Sequence, residues 1–112
     1  MRLSSQDLQQ MIRVLNTCLG ARLSKAELRL FGSRVKDQAK GGDIDLLLIL
    51  PNTQAYQQVL DQKLILLVEL KQYLGDQKID LILATPSLLS TDPFLELIYT
   101  KAIILNTWPS IP

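Results

Sequence analysis

The run of residues 43–50 constrains the fold most, because every residue in it after Asp45 is hydrophobic. A strand with one face in solvent alternates polar and apolar residues, whereas a strand covered on both faces is almost wholly apolar. The run therefore predicts a central strand, which Pro51-Asn52 ends. A chain built around such a strand is expected to form a layered domain of helices and sheet.

Helical and strand patterns follow one another along the rest of the chain. Helices are predicted over residues 4–19, where Ser4 and Asp7 form a variant capping box, over 54–74, over 93–101 behind the cap Asp92, and over the short segment 34–40. Strands are predicted over 27–31, 78–83 and 102–105, a loop over 86–93, and a loose tail over 106–112. This order predicts one α/β (α+β) domain over residues 1–112, with a core of about 27–105 and helices packed on a mixed sheet.

Composition removes several classes of function. The 112 residues include 12 Lys+Arg and 11 Asp+Glu, so no basic field favours sequence-specific nucleic-acid binding. A single Cys18 excludes an internal disulfide, and the absence of histidine excludes a histidine base and the common zinc sites. The densest apolar run, 64–68, is far shorter than the ~20 residues of a membrane span, so no membrane is expected and a reducing cytoplasm is the expected compartment.

Two aspartates stand at the start of the central strand. Asp43 and Asp45 point to the same face, roughly 7 Å apart along the chain, because side chains alternate along a strand. Two carboxylates on one face repel each other unless a cation lies between them, and Mg²⁺ prefers such ligands together with phosphate oxygens. The plain structural alternative is a pair of solvated aspartates at a strand end.

Gly32-Ser33 follows the strand 27–31 directly. A glycine lets backbone N–H groups approach a phosphate, and the serine hydroxyl adds a donor. Arg34 and Lys36 are candidate cationic partners for the same phosphate. An ordinary strand-ending turn remains the structural alternative.

A third acid, Asp80, interrupts the apolar strand 78–83, with Ile79, Leu81 and Leu83 on the opposite face. If this strand pairs with the central one, Asp80 joins the two earlier acids. Three converging carboxylates suit a metal site for displacement at phosphorus, and one of them is able to serve as a base toward a hydroxyl. Alone, Asp80 is equally well explained as an exposed acid at a sheet edge.

The combined pattern resembles the nucleotidyltransferase superfamily: Gly32-Ser33, nine further residues, Asp43-Ile44-Asp45, and a later strand with Asp80. At this length it resembles most the minimal nucleotidyltransferases, the antitoxins of toxin–antitoxin pairs whose toxin is a small HEPN-domain protein. The resemblance implies a single small nucleotidyltransferase-like domain. It also implies that Gly32 and Ser33 hold the nucleotide triphosphate, that Asp43 and Asp45 bind Mg²⁺, and that Asp80 completes the metal site and helps to activate the nucleophile.

One departure concerns Gly42, which stands where many relatives carry a serine, and this change removes no ligand. The implied reaction transfers AMP from ATP to a hydroxyl, a tyrosine of the HEPN toxin, and releases pyrophosphate. With no acceptor domain expected, the acceptor would be selected by a partner protein or by a second copy of the chain in a homodimer. The alternatives are an antitoxin that acts by docking alone and, more weakly, a transferase for a small molecule such as an aminoglycoside.

Apolar residues exceed what a small sheet has to cover. Residues 64–68 of the predicted long helix are all apolar and point to nearly all sides of it. This part of the helix is therefore expected to be buried in the core or under a partner. More of them lie near the end of the sequence: Phe94, Leu95, Leu97, Ile98, Ile103, Ile104, Leu105, Trp108 and Ile111. They predict a docking surface unless they simply close the core.

Overall fold

Eight helices and strands make up the parts of the chain described by the computed structural model, residues 3–35, 43–75 and 77–110. In chain order they are α1 (Ser5–Leu19), β1 (Glu27–Phe31), β2 (Ile44–Ile49), α2 (Thr53–Leu74), β3 (Ile79–Ala84), α3 (Pro86–Thr91), α4 (Pro93–Lys101) and β4 (Ile103–Thr107). Two 3₁₀ turns, Gly20–Leu23 and Gly32–Val35, follow α1 and β1. The second turn covers the start of the helix predicted over 34–40, and the rest of that prediction lies outside the described residues.

The strands form one sheet in the order β3-β2-β1-β4. β2 and β3 are parallel, while β1 is antiparallel to both β2 and β4. A parallel pair needs a long crossover, and the 22 residues of α2 supply it. The predicted fold class, a mixed sheet with helices packed on it, is confirmed.

Local signals set the ends of the two long helices. Ser4 Oγ accepts a hydrogen bond from Asp7 N at 3.0 Å, and Asn52 Oδ1 accepts one from Ala55 N at 2.9 Å. Each cap satisfies a backbone donor that the first turn of a helix leaves without a partner. Gly75, with φ of 72°, ends α2 in a conformation that favours glycine. Both helices begin within one residue of their predicted starts.

β2 has core residues on both faces, as a central strand should. Ile44, Leu46 and Leu48 belong to the main cluster, which the buried faces of α1 and α2 complete. Leu47 and Ile49 lie on the other face in a smaller cluster with residues of α3 and α4. The helices therefore cover β2 on both sides. Asp43 and Asp45, at the start of the strand, lie beyond the smaller cluster.

The loop predicted over 86–93 is wrong, because α3 occupies most of it. Thr85 Oγ1 accepts a hydrogen bond from Leu88 N at 3.2 Å, and Pro86 stands at the first helical position, where its missing N–H costs nothing. Leu88 and Leu89 then pack on the smaller cluster, which stabilises a helix too short to be stable by itself. The helix after Asp92 is confirmed as α4, and Asp92 Oδ1 accepts from Phe94 N at 2.9 Å.

The loose tail predicted from residue 106 is wrong for its first part. β4 runs to Thr107, and Trp108 N then donates to Ala26 O at 2.9 Å. The indole Nε1 of Trp108 donates to Asn16 Oδ1 at 2.7 Å, so this segment is tied to α1. Ile111 lies outside the described residues.

The second half of α2 is only partly buried. Leu66 and Leu70 are fully buried, but Leu64, Ile65 and Val68 are 76%, 57% and 52% exposed. The interpretation that residues 64–68 close the core is therefore wrong for these three. None of the helices within the described ranges is both long and apolar enough to span a bilayer.

Candidate active site

The parallel pairing of β2 with β3 brings the three predicted acids together. Asp45 lies directly opposite Asp80 in the register, on the same face of the sheet, and Asp43 precedes Asp45 by two residues. One carboxylate oxygen from each lies within 4.8 Å of the others. Two neighbouring strands thus hold three acids in one place, the arrangement that the sequence predicted only on condition of this pairing.

The acids destabilise one another electrostatically. Burial raises the pKa of Asp45, and the nearby charges of Asp80 and Asp43 and a hydrogen bond with Asp80 raise it further. Lys78 offsets part of this repulsion, since its Nζ lies 3.6 Å from Asp43 Oδ2. The Lys78 side chain is 71% exposed, so solvent screens its charge strongly. The site therefore has an excess of negative charge.

This donor set fits a magnesium ion. Mg²⁺ binds carboxylate oxygens and keeps positions for water and phosphate oxygens, and the exposed Asp80 leaves room for both. A divalent cation would also relieve the repulsion that raises the pKa of Asp45. Asp43, Asp45 and Asp80 are the residues that would hold it.

The position of the Asp45 carboxylate requires a glycine at residue 32. Gly32 follows Phe31, the β1 residue opposite Asp45, and has φ of 78°. A Cβ at this position would overlap Asp45 Oδ2 and lie 3.1 Å from Asp45 Cγ. Sequence reasoning gave Gly32 a role toward phosphate only. Its second role, as space for a carboxylate, depends on strand pairing and has no local signal.

The other residues predicted for nucleotide binding lie in the turn that starts at Gly32. Ser33 is in the 3₁₀ turn Gly32–Val35, and Arg34 lies half-buried two residues after Gly32. This places both within a few residues of the glycine that contacts the acid site. Lys36 and Gly42 lie outside the described residues.

A cleft of about 420 Å³ opens beside the acids, within the usual size range of small-molecule sites. It is lined by Phe31, Asp45, Lys63, Leu67, Ile79, Asp80, Leu81, Ile82 and Phe94. Lys63 and Phe94 were not predicted, because they come from α2 and α4 and no sequence pattern links them to the acids. A larger cleft of about 680 Å³, lined by Pro51 among others, contains none of the three acids, so the smaller cleft is the candidate site.

Comparison with known families identifies the family of the chain. The chain matches the nucleotidyltransferase domain family over residues 12–105, which is most of its length. It belongs to that family. The predicted class of enzyme, a nucleotidyltransferase, is thereby confirmed, and the matched range contains all three acids and the turn at Gly32.

Among solved structures, the fold resembles a chain in the crystal structure of a mutant toxin–antitoxin pair, MntA-HpeT. The likeness has a TM-score of 0.53 at 18% identity and covers 92% of this chain and 73% of that one. At this identity it shows a shared fold. No curated protein matches the sequence.

Proposed function

We propose that this nucleotidyltransferase moves AMP from Mg²⁺-bound ATP to a tyrosine hydroxyl of a HEPN-domain toxin and thereby acts as its antitoxin. The observation that carries the proposal is the meeting of Asp43, Asp45 and Asp80 within 4.8 Å beside the turn at Gly32. Three carboxylates at this distance repel one another and so destabilise the fold. In a nucleotidyltransferase the same carboxylates would bind the metal ion that the reaction needs.

The chain's own residues divide the work. The turn Gly32–Val35 would supply backbone N–H groups to the triphosphate, and Ser33 and Arg34 are the residues of this turn that we propose to bind it. When bound, Mg²⁺ supplies charge neutralisation at the phosphates. Asp80, the most exposed of the acids, accepts the proton of the attacking hydroxyl. The hydroxyl oxygen bonds to the α-phosphorus, the bond to the β-phosphate oxygen breaks, and pyrophosphate leaves.

Two observations support a toxin as the acceptor. The similar solved chain belongs to a toxin–antitoxin pair, mutated at two aspartates that are two residues apart, the spacing of Asp43 and Asp45. In addition, Leu64, Ile65 and Val68 leave an apolar patch on α2. Exposed patches of this kind mark sites of association with other proteins.

Incubation with ATP, Mg²⁺ and a cognate HEPN protein tests the reaction. We expect the partner's mass to rise by one or more AMP units on a tyrosine. Asp80→Asn should abolish the increase while the complex still forms, because docking and chemistry use different surfaces. Asp61→Asn removes an exposed acid of α2 and should leave the increase unchanged. Full transfer by Asp80→Asn would contradict the proposed site.

Docking alone is the second candidate, and the exposed patch on α2 favours it. The two candidates differ in what Asp80→Asn does in cells. If the variant loses protection against the toxin while still binding it, the protein acts as an enzyme. If the variant protects as well as the parent, protection comes from binding and the catalytic proposal is wrong.

A further inference from the structure

One lysine lines the cleft at the acid site. Lys63 comes from α2, is partly buried, and is the only cation among the described residues that line this cleft. It forms no hydrogen bond or ion pair with any residue that the structure describes. Lys78, by contrast, does not line the cleft and pairs with Asp43 at 3.6 Å. The Lys63 ammonium is therefore available to an anionic oxygen that enters the cleft.

The rest of the cleft suits an aromatic ring. Apart from the acids Asp45 and Asp80, its other walls are apolar and are formed by Phe31, Leu67, Ile79, Leu81, Ile82 and Phe94. Phe94 is 58% exposed, so its ring is accessible to a molecule in the cleft. Aromatic rings pack favourably on one another in offset or edge-to-face arrangements. Apolar walls with one ammonium and two acids therefore match a phenol, which has an apolar ring and a single hydroxyl.

The cleft lies mainly on the side of the acids away from the turn proposed to bind phosphate. Gly32, Arg34 and Val35, in the turn after β1, do not line it, whereas four consecutive residues of β3 do. In the sheet, β2 separates β1 from β3. Displacement at phosphorus needs the attacking and leaving oxygens roughly in line, on opposite sides of the phosphorus. With the leaving pyrophosphate at the turn, the attacking hydroxyl belongs in the cleft.

We infer that the Lys63 ammonium binds the phenol oxygen of the acceptor tyrosine and stabilises the phenolate as it attacks. The inference rests on the proposed function and adds how the site selects its acceptor. Asp80 takes the phenol proton, Lys63 donates a hydrogen bond to the oxygen and keeps its own protons, and the oxygen bonds to the α-phosphorus. A nearby ammonium favours ionisation of a phenol, whose ordinary pKa is about 10. Serine and threonine are not among the side chains that ionise in this range, so the site should prefer tyrosine.

A tethered nitrophenol tests this without depending on AMP transfer. The nitro group brings the pKa of the phenol close to neutrality, and the nitrophenolate absorbs visible light, so its ionisation is followed by absorbance. A thiol arm joins the probe by a disulfide to Leu97→Cys in a Cys18→Ala background. Leu97 is 53% exposed and lies one turn after Phe94, which lines the cleft. The probe is titrated on the metal-free protein.

Three charged groups among the described lining residues act on the probe. Lys63 lowers the pKa of the nitrophenol, and Asp45 and Asp80 raise it, while α4 and β1 contribute only phenylalanines to the lining. We expect Lys63→Met to raise this pKa by about 1 and Lys63→Arg to leave it near the parent value. Lys71→Met removes an exposed lysine of α2 that does not line the cleft, so it should leave this pKa nearly unchanged.

Asp80→Asn shows whether the probe lies beside the acids, because the loss of a negative charge there should lower the pKa of the nitrophenol. A shift with Asp80→Asn but none with Lys63→Met would overturn the inference. No shift with either variant would show that the cleft does not hold a phenol and would overturn it as well.

AMP transfer to the cognate HEPN protein separates this inference from the proposed function. We expect Lys63→Met to slow transfer about ten-fold at about pH 7, since a pKa higher by about 1 leaves a tenth as much phenolate. Lys63→Arg should restore most of the rate, and the affinity for Mg²⁺-ATP should not change. Parental transfer by Lys63→Met would overturn the inference, and so would a matching loss of Mg²⁺-ATP affinity, because Lys63 would then bind the nucleotide. A shifted nitrophenol pKa with no transfer by the parent protein would leave phenol binding by Lys63 standing and refute the proposed function.

Discussion

Replacement of Gly32 by alanine tests whether the glycine makes room for Asp45. Two effects add in this variant. Its φ of 78° is unfavourable for any residue with a Cβ, at a cost of about 1–2 kcal/mol. The new methyl group would also overlap Asp45 Oδ2 and must displace that carboxylate. Displacement of a ligand should weaken binding of Mg²⁺-ATP by at least the 10–100-fold that is typical of lost outer-sphere partners.

Gly75→Ala is the matched control for Gly32→Ala. Gly75 has nearly the same φ, 72°, but nothing lies within 4 Å of an added Cβ. Both variants also reduce the freedom of the unfolded chain equally, so this contribution cancels in the comparison. Gly75→Ala should lose stability from backbone strain alone and keep its binding of Mg²⁺-ATP.

Urea denaturation and titration calorimetry with Mg²⁺-ATP measure the two effects separately. We expect both variants to be less stable than the parent by about 1–2 kcal/mol from strain, and only Gly32→Ala to lose binding. Equal binding by the two variants would refute the argument that Asp45 has to occupy the space left by Gly32. Equal loss of binding by both would show that general destabilisation, not the site, is responsible.

Three further predictions concern the charge, the turn and the patch. Because burial and neighbouring acids raise the pKa of Asp45 in the folded state, the free energy of unfolding of the metal-free protein should fall as pH rises from the ordinary value of an aspartate through that raised pKa. Asp45→Asn should remove this decline, and an unchanged slope in urea denaturation from about pH 3 to 7 would contradict it. Ser33→Ala should weaken Mg²⁺-ATP binding by about 1.5–3 kcal/mol with the fold intact, and calorimetry showing parental affinity would reduce the turn to a structural one. Leu64→Glu should prevent complex formation with the toxin in size-exclusion chromatography without changing Mg²⁺-ATP binding, whereas Gln72→Glu on the same helix should do neither.

The elements predicted correctly are those whose signals are local. Ser4 and Asn52 cap helices through bonds to residues three positions away, so the sequence around each start contains the whole interaction. The apolar run of β2 likewise reports its own burial. α3 was not predicted because six residues are too few to show a helical pattern of apolar residues. Its stability also depends on packing against a cluster formed by distant parts of the chain.

The sequence predicted the three acids of the candidate site, but not the other residues that line its cleft. Asp43 and Asp45 share a face by strand alternation, and Asp80 needed only the assumption that its strand is a neighbour. Lys63 and Phe94 reach the same cleft through the placement of two helices, which no spacing in the sequence expresses. For the same reason, composition revealed an excess of apolar residues in α2 but not which of them face solvent.

The pairing of Asp45 with Asp80 also bears on how the chain finds its native strand alignment. A slip of β3 by one residue would turn Asp80 toward the main core, where Leu81 and Leu83 now lie, and burial of that charge costs several kcal/mol. A slip by two residues keeps every side chain on its proper face and moves Asp80 only about 7 Å along the strand. Hydrophobic burial therefore opposes a slip by two residues much less than a slip by one. A bound cation and triphosphate would oppose the slip by two residues, because they stabilise only the alignment that brings the carboxylates together. Ligand binding at this site would therefore favour the native alignment of β3 over the alignment that is shifted by two residues.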